Sequence, residues 1–257
     1  MATEEPAASG GPAIHTGSVG VYDQANAAYS LKNANSGGAP DISFNYGPTG
    51  TGRIPIVGDW NGDGIDTIGL YDTVSGTFSL RNSNSSGPPD ITFSYGPVGL
   101  GWIAIAGDWN HDGMDTVGLY DPVNAGFFLR NSNTGGAADI AFNYGPSGLS
   151  WVPLGGDWDG DGTDTIGLYN PVTGGFFLRN TNTSGIADVL FSYGPGGLGW
   201  KPIISDWDHD GVDTIGLYNP AVSGFFLRNT NTSGIGDISF TFGTAGLVPI
   251  AGDWDGN

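Results

Sequence analysis

Cysteine is absent from the 257-residue chain, which excludes a disulfide framework, cysteine-ligated zinc and a thiol nucleophile. Basic residues are scarce, with seven Lys and Arg against twenty-six Asp and Glu and a formal charge of −19 at pH 7. A nucleic-acid duplex or an anionic membrane would repel such a chain. No apolar run approaches the ~18 residues of a membrane-spanning helix, so membrane insertion is not expected. Residues 1–12, which include Glu4 and Glu5, lack the basic and apolar regions of a signal peptide. This lead is expected to be disordered, with any export signal absent or removed, and 13–257 to form one domain. Glutamate is also nearly missing: Glu4 and Glu5 are the only two.

What the chain does have is glycine, 47 residues of it, together with eight Trp, ten Tyr and thirteen Phe. A glycine-rich chain this aromatic is not a disordered one. The arrangement is periodic. An Asp-Trp pair returns at Asp59, Asp108, Asp157, Asp206 and Asp253, at intervals of 49, 49, 49 and 47 residues. Each copy continues through a Gly-Leu-Tyr-like segment (Gly20, Gly69, Gly118, Gly167, Gly216). A cation before Asn follows (Lys32, Arg81, Arg130, Arg179, Arg228), then an aromatic-Gly pair (Tyr46, Tyr95, Tyr144, Tyr193, Phe242).

Short strands and glycine-rich turns repeating about every 50 residues predict β-propeller blades. Within one unit the strands fall at 103–107, 116–120, 127–131 and 139–144, separated by turn segments such as 121–126. Small residues on the first strand (Ala104, Ala106, Gly155, Gly156) suit the crowded hub of a ring. The N-terminal piece begins at a second strand (Ser18 to Tyr22) and the C-terminus ends after a first strand (248–254). The expectation is an all-β, five-bladed propeller of four-stranded antiparallel blades, closed by a blade shared between the termini, with no helix.

The acidic residues concentrate in one loop. Sixteen of the twenty-six lie between the first and second strands of the five copies. The copy from Asp59 reads Asp-Trp-Asn-Gly-Asp-Gly-Ile-Asp, with oxygen side chains at positions one, three and five, glycine at six, and a backbone carbonyl at seven. That pattern wraps a hard cation seeking about six to eight oxygens. Ca²⁺ is the expected ion, since Mg²⁺ retains more water and a transition metal would want His or Cys. Asp, Asn and Gly also make ordinary turns. Turn chemistry, however, does not require three or four mutually repelling carboxylates within eight residues.

Period and loop together resemble the integrin-α-type propellers and their bacterial relatives, the FG-GAP and VCBS repeats, over residues 13–257. By that resemblance the metal ligands are Asp59, Asn61, Asp63 and the Ile65 carbonyl. They recur as Asp108, Asn110, Asp112 and Met114, as Asp157, Asp159, Asp161 and Thr163, and as Asp206, Asp208, Asp210 and Val212. The family closes its site with a carboxylate at position nine, where this chain has Thr67, Thr116, Thr165 and Thr214. Asp66, Asp115, Asp164 and Asp213, one residue earlier, are expected to close it instead. The fifth loop keeps only Asp253 and Asp255, so about four calcium sites are expected.

The one-per-blade cations are expected to pair with Asp41, Asp90, Asp139, Asp188 and Asp237, and the Trp of each Asp-Trp pair to be a core wedge. A second set, Trp102, Trp151 and Trp200, is replaced by Arg53 in one copy and deleted in the last. It serves either inter-blade packing or stacking on a sugar ring. His111 and His209, at position four, are read as solvent-facing. Every acid outside the lead belongs to a recurring position, and no singular carboxylate pair or His-Ser grouping stands out, so catalysis is not expected. The sequence points to a calcium-binding, multivalent recognition module of the cell surface or extracellular space with a glycan or protein ligand. The alternative is a calcium-stabilised scaffold domain, with a glycan-active hydrolase a more distant one.

Overall fold

In the computed structural model, which describes residues 16–50 and 52–256, each repeat resolves into four short strands joined by tight turns. The strands are β4 (Ile54–Gly58), β5 (Thr67–Asp72), β6 (Thr77–Leu80) and β7 (Ile91–Ser94) in the first uninterrupted repeat. The next has β8 (Ile103–Gly107), β9 (Thr116–Asp121), β10 (Gly126–Leu129) and β11 (Ile140–Asn143). Then come β12 (Val152–Gly156), β13 (Thr165–Asn170), β14 (Gly175–Leu178) and β15 (Val189–Ser192), and β16 (Lys201–Ser205), β17 (Thr214–Asn219), β18 (Gly224–Leu227) and β19 (Ile238–Thr241). The remaining blade takes β1 (Ser18–Asp23), β2 (Ala28–Leu31) and β3 (Ile42–Asn45) from one end of the chain and β20 (Val248–Gly252) from the other.

Each set forms one antiparallel sheet in which neighbours in sequence are neighbours in space, and β20 pairs with β1 in the order β20-β1-β2-β3. The first strands touch in the cycle β20, β4, β8, β12, β16 and back to β20, closing the ring. The described residues contain no helix. The protein is a five-bladed β-propeller whose shared blade leaves no first strand unpaired. The lead, 1–12, lies outside the described residues.

The core lies between blades. Phe78, Leu80 and Tyr95 of one blade pack with Ala104, Val117 and Leu119 of the next, and equivalent clusters occupy the other junctions. Within a blade an aromatic ladder runs across the sheet, as in Tyr71, Phe78 and Phe93 with ring centroids 4.5 and 5.3 Å apart. A hydroxyl bolts neighbouring blades: Tyr95 Oη donates to the Phe128 carbonyl at 3.1 Å, and Tyr46 Oη to that of Ser79 at 3.0 Å. The Trp residues at 60, 109, 158, 207 and 254 are all buried in these junctions, as wedges.

The recurring cations are buried and pair within their own blade. Lys32–Asp41 is 2.8 Å, Arg81–Asp90 3.1 Å, and Arg130–Asp139, Arg179–Asp188 and Arg228–Asp237 are each 2.7 Å. Each carboxylate also accepts the backbone N–H of the residue after the cation, as Asp90 does from Asn82 at 2.9 Å. The result is a clamp on the loop between the third and fourth strands. That loop and the acidic loop lie on the same face of the ring, because strands one and three run in the same direction.

Candidate metal centre

The acidic loop is built around its first residue. Asp59 Oδ1 accepts the N–H groups of Asn61, Gly62 and Asp63 at 3.2, 2.8 and 3.2 Å, and Oδ2 accepts that of Gly64 at 2.7 Å. Asp157 and Asp206 hold their loops through the same four bonds. The curl requires left-handed backbone at position six, where Gly64, Gly113, Gly162 and Gly211 have φ of 82° to 85°. Position four is left-handed too, and there His111 and His209 replace glycine at φ of 56° and 68°. His209 Nδ1 lies 2.6 Å from Thr16 Oγ1, and His111 lies against Gly162 of the next loop. Both therefore reach across to an adjoining segment.

The carboxylates at positions one, three and five converge in two loops. Oxygens of Asp157, Asp159 and Asp161 lie within 4.8 Å of one another, as do those of Asp206, Asp208 and Asp210. Partial burial and then the two neighbouring carboxylates push Asp159 and Asp208 above the usual carboxylate range. Where position three is Asn, the amide relieves this repulsion: Asn61 Nδ2 donates to Asp63 Oδ2, and Asn110 Nδ2 to Asp112 Oδ2, both at 2.9 Å. An all-oxygen donor set of this kind fits a hard divalent cation, with Asp59, Asn61, Asp63 and the Ile65 carbonyl, and their equivalents, as the groups that would hold it.

The position-eight carboxylates do something the sequence did not disclose. Asp115 Oδ2 accepts the backbone N–H of Asp59 at 2.8 Å, while the Asp115 N–H donates back to the Asp59 carbonyl at 2.8 Å. Asp164 clasps Asp108, Asp213 clasps Asp157 and Asp66 clasps Asp253 in the same way, so each carboxylate reaches into the preceding blade. Each sits over a glycine at the end of that blade's first strand. A Cβ on Gly58 would stand 2.8 Å from Asp115, and Gly107, Gly156 and Gly252 are comparably close to Asp164, Asp213 and Asp66. At the fifth junction both partners change: Gly17 takes the position-eight place and Ser205 the glycine place, while the Gly17 N–H still donates to the Asp206 carbonyl at 2.7 Å.

Three of these carboxylates, Asp66, Asp115 and Asp213, line the axial cavity, about 790 Å³, with the position-one residues Asp59, Asp108, Asp157, Asp206 and Asp253. Burial, reinforced by neighbouring carboxylates, raises Asp66, Asp115 and Asp164 well above the ordinary range. Asp213, whose next neighbour round the ring is Gly17, is pushed up to about 7. The threonines at position nine are buried, and their hydroxyls tie the second strand to the third, as Thr67 Oγ1 donates to the Arg81 carbonyl at 2.7 Å. In the fifth loop Asp253 Oδ1 accepts the N–H groups of Asp255 and Gly256, the same turn begun on fewer residues.

Trp102, Trp151 and Trp200 are half-buried at blade junctions, stacked on Phe128, Phe177 and Phe226 with centroids 4.6, 4.6 and 4.8 Å apart. Where the Trp is Arg53 or deleted, the position of that Phe is Ser79 or Ser30. The aromatic pair is thus gained or lost as a unit. A shallow cavity of about 310 Å³ lies beside the first pair, between Tyr95, Pro97, Trp102 and Phe128.

No family model matches the chain, and no curated protein matches it. Among solved structures it is similar to the crystal structure of BBS1N in complex with ARL6DN, soaked with mercury, at 7% identity and a TM-score of 0.40. The match covers 84% of this chain and 66% of that one. A likeness this distant has no bearing on function.

The two faces of the ring differ sharply in charge. Among the described residues, the acidic-loop face holds twenty-one carboxylates against the five paired cations. The opposite face holds Asp23, Asp72 and Asp121 with Arg53 and Lys201. That near-neutral face also carries exposed Val74, Val123, Val172 and Val222 at the turns between second and third strands.

Proposed function

We propose that the protein is a calcium-binding, non-catalytic recognition module of the cell surface or extracellular space, built on repeats of the FG-GAP/VCBS type. The observation that carries the reading is the recurrence of one loop geometry in four blades. In each, the position-one carboxylate shapes the turn, and in two of them the carboxylates at positions three and five gather beside it. Calcium would neutralise charge concentrated on one face, leaving the other, near-neutral and studded with apolar side chains, to meet a glycan or a protein. Near-symmetry supports multivalency, since several weak equivalent sites gain by avidity.

The test is thermal melting of chelated protein during CaCl₂ titration, with MgCl₂ as control. At a hundredfold excess over Kd each independent site adds ~2.7 kcal/mol. A calcium-selective rise in melting temperature supports the reading; a flat response refutes it. The pairing of Trp with Phe favours a second reading, a calcium-stabilised scaffold in which these rings only pack blades. A glycan array separates the two: a signal lost in Trp151→Ala supports recognition through these rings, and no signal from folded, calcium-loaded protein leaves the scaffold.

A further inference from the structure

An unanswered acceptor recurs beside each complete acidic loop. The residue after each clamping arginine is Asn82, Asn131, Asn180 or Asn229, and in all four the side-chain Oδ1 is shut off from solvent without a hydrogen-bond partner. A buried, unpaired carbonyl oxygen costs about 1–3 kcal/mol, and four copies in register are a built feature rather than an accident. The same amide faces the loop: the Asn180 side chain favours the charged form of the Asp159 carboxyl, and that of Asn229 does so for Asp208.

The fifth blade supplies the internal control. Its loop is cut short, and the equivalent residue, Asn33, is exposed. Its backbone is nonetheless held as in the others, the Asn33 N–H donating to Asp41 Oδ2 at 2.9 Å. Holding the backbone on the clamp Asp is therefore not enough to bury the amide, and the four shielded amides are those beside a complete acidic loop. A different set, Asn35, Asn84, Asn133, Asn182 and Asn231, also has buried unpaired Oδ1 atoms, but it occurs in all five blades and so does not track the loop.

We propose that Asn82, Asn131, Asn180 and Asn229 belong to the loop sites, each bringing an oxygen from outside the loop into the coordination sphere of a divalent cation. This rests on the calcium reading above. An amide is suited to both states of such a site. Its N–H can answer a carboxylate that lacks a cation, and rotation of its last torsion presents its oxygen once the cation is there. Alanine removes both groups, whereas Asp keeps an oxygen at the same place.

The test is calorimetric titration of CaCl₂ into metal-free protein, comparing wild type, the quadruple Asn→Ala variant, Asn33→Ala and Asn180→Asp. Outlying groups that orient metal ligands typically change affinity 10- to 100-fold, and a loss of that size is expected in the quadruple variant. Asn33→Ala should bind as wild type does, and Asn180→Asp should retain four sites. Unchanged calcium affinity in the quadruple variant would overturn the inference while leaving calcium binding intact. Absence of binding by wild type would instead overturn the calcium reading itself. If the quadruple variant does not fold, Asn180→Ala alone should leave three tight sites and one weak; four equal sites would overturn the proposal.

Discussion

The five junctions contain a natural double exchange that can be turned into a measurement. Four pair a glycine with an aspartate, as Gly58 with Asp115, and one pairs Ser205 with Gly17. Transplanting the exception gives Gly58→Ser, Asp115→Gly and the double variant. A Cβ on Gly58 would stand 2.8 Å from the Asp115 Cβ and 3.0 Å from the Trp60 ring, so the serine alone overpacks the junction. Such insertions cost about 1–3 kcal/mol. Asp115→Gly alone takes the acceptor from the Asp59 N–H, a loss of about 1–3 kcal/mol for a buried donor. Removal of a buried, protonation-prone carboxylate offsets part of that loss. Together the two changes should recover the overpacking term, because the space beside the introduced serine is then open, as it is beside Ser205. The double variant should be more stable than the sum of the single effects by about 1–2 kcal/mol, within the range for contacting residues. The assay is urea unfolding in chelator, which keeps any metal contribution out of the cycle. Additivity within about 0.5 kcal/mol would refute the claim that glycine and aspartate are mutually fitted.

Three further outcomes follow from the same geometry. Burial holds Asp66, Asp115 and Asp164 well above the ordinary carboxylate range and Asp213 at about 7, so the folded state keeps protons that the unfolded chain has released. That stabilisation is complete below the unfolded carboxylate pKa and is lost as pH rises through the folded values. The melting temperature in chelator should therefore fall between pH 5 and pH 8; a rise across that interval would contradict the assignment. Arg130→Ala should cost about 2–4 kcal/mol in urea unfolding, below the full cost of breaking a buried pair because the Asp139 side chain is 40% exposed. Arg130→Lys should cost only about 1 kcal/mol, since Lys32 makes the equivalent pair at 2.8 Å. Deleting residues 247–257 strips β20 from β1 and should abolish cooperative melting, read by circular dichroism.

The fold was legible because every landmark returns at a fixed interval and each signals its own local element. Glycine at loop position six must be left-handed, and Gly-Leu-Tyr must alternate across a sheet. The clamp partners were legible for the same reason, since Arg130 and Asp139 recur together in one blade. The clasp was not. Asp115 meets Asp59 fifty-six positions away, one period plus the width of the loop, and nothing local marks a carboxylate that crosses to its neighbour. Its signal lay in the exception, Gly17 with Ser205, which becomes readable only once those positions are known to touch. The asparagines after the arginines were visible as landmarks, but their burial depends on the loop folding over them.

These observations converge on one seam. The junction between the blade of β16–β19 and the shared blade has no position-eight carboxylate, no Trp–Phe pair and no complete acidic loop in the shared blade. Asp213 is correspondingly the least perturbed member of the axial set. A ring closed by noncovalent pairing of its two ends must be held at the closing blade by other means. Here Val19 and Val21 of the shared blade pack with Trp207, Tyr218 and Phe225 of its neighbour, and the Gly17 N–H donates to the Asp206 carbonyl at 2.7 Å. A backbone hydrogen bond and apolar packing thus replace the carboxylate clasp at this seam. Calcium bound in four blades, as proposed above, would stiffen the arc from β4 to β19 and leave the closing blade to its sheet, its apolar junctions and the single clasp of Asp66 on Asp253.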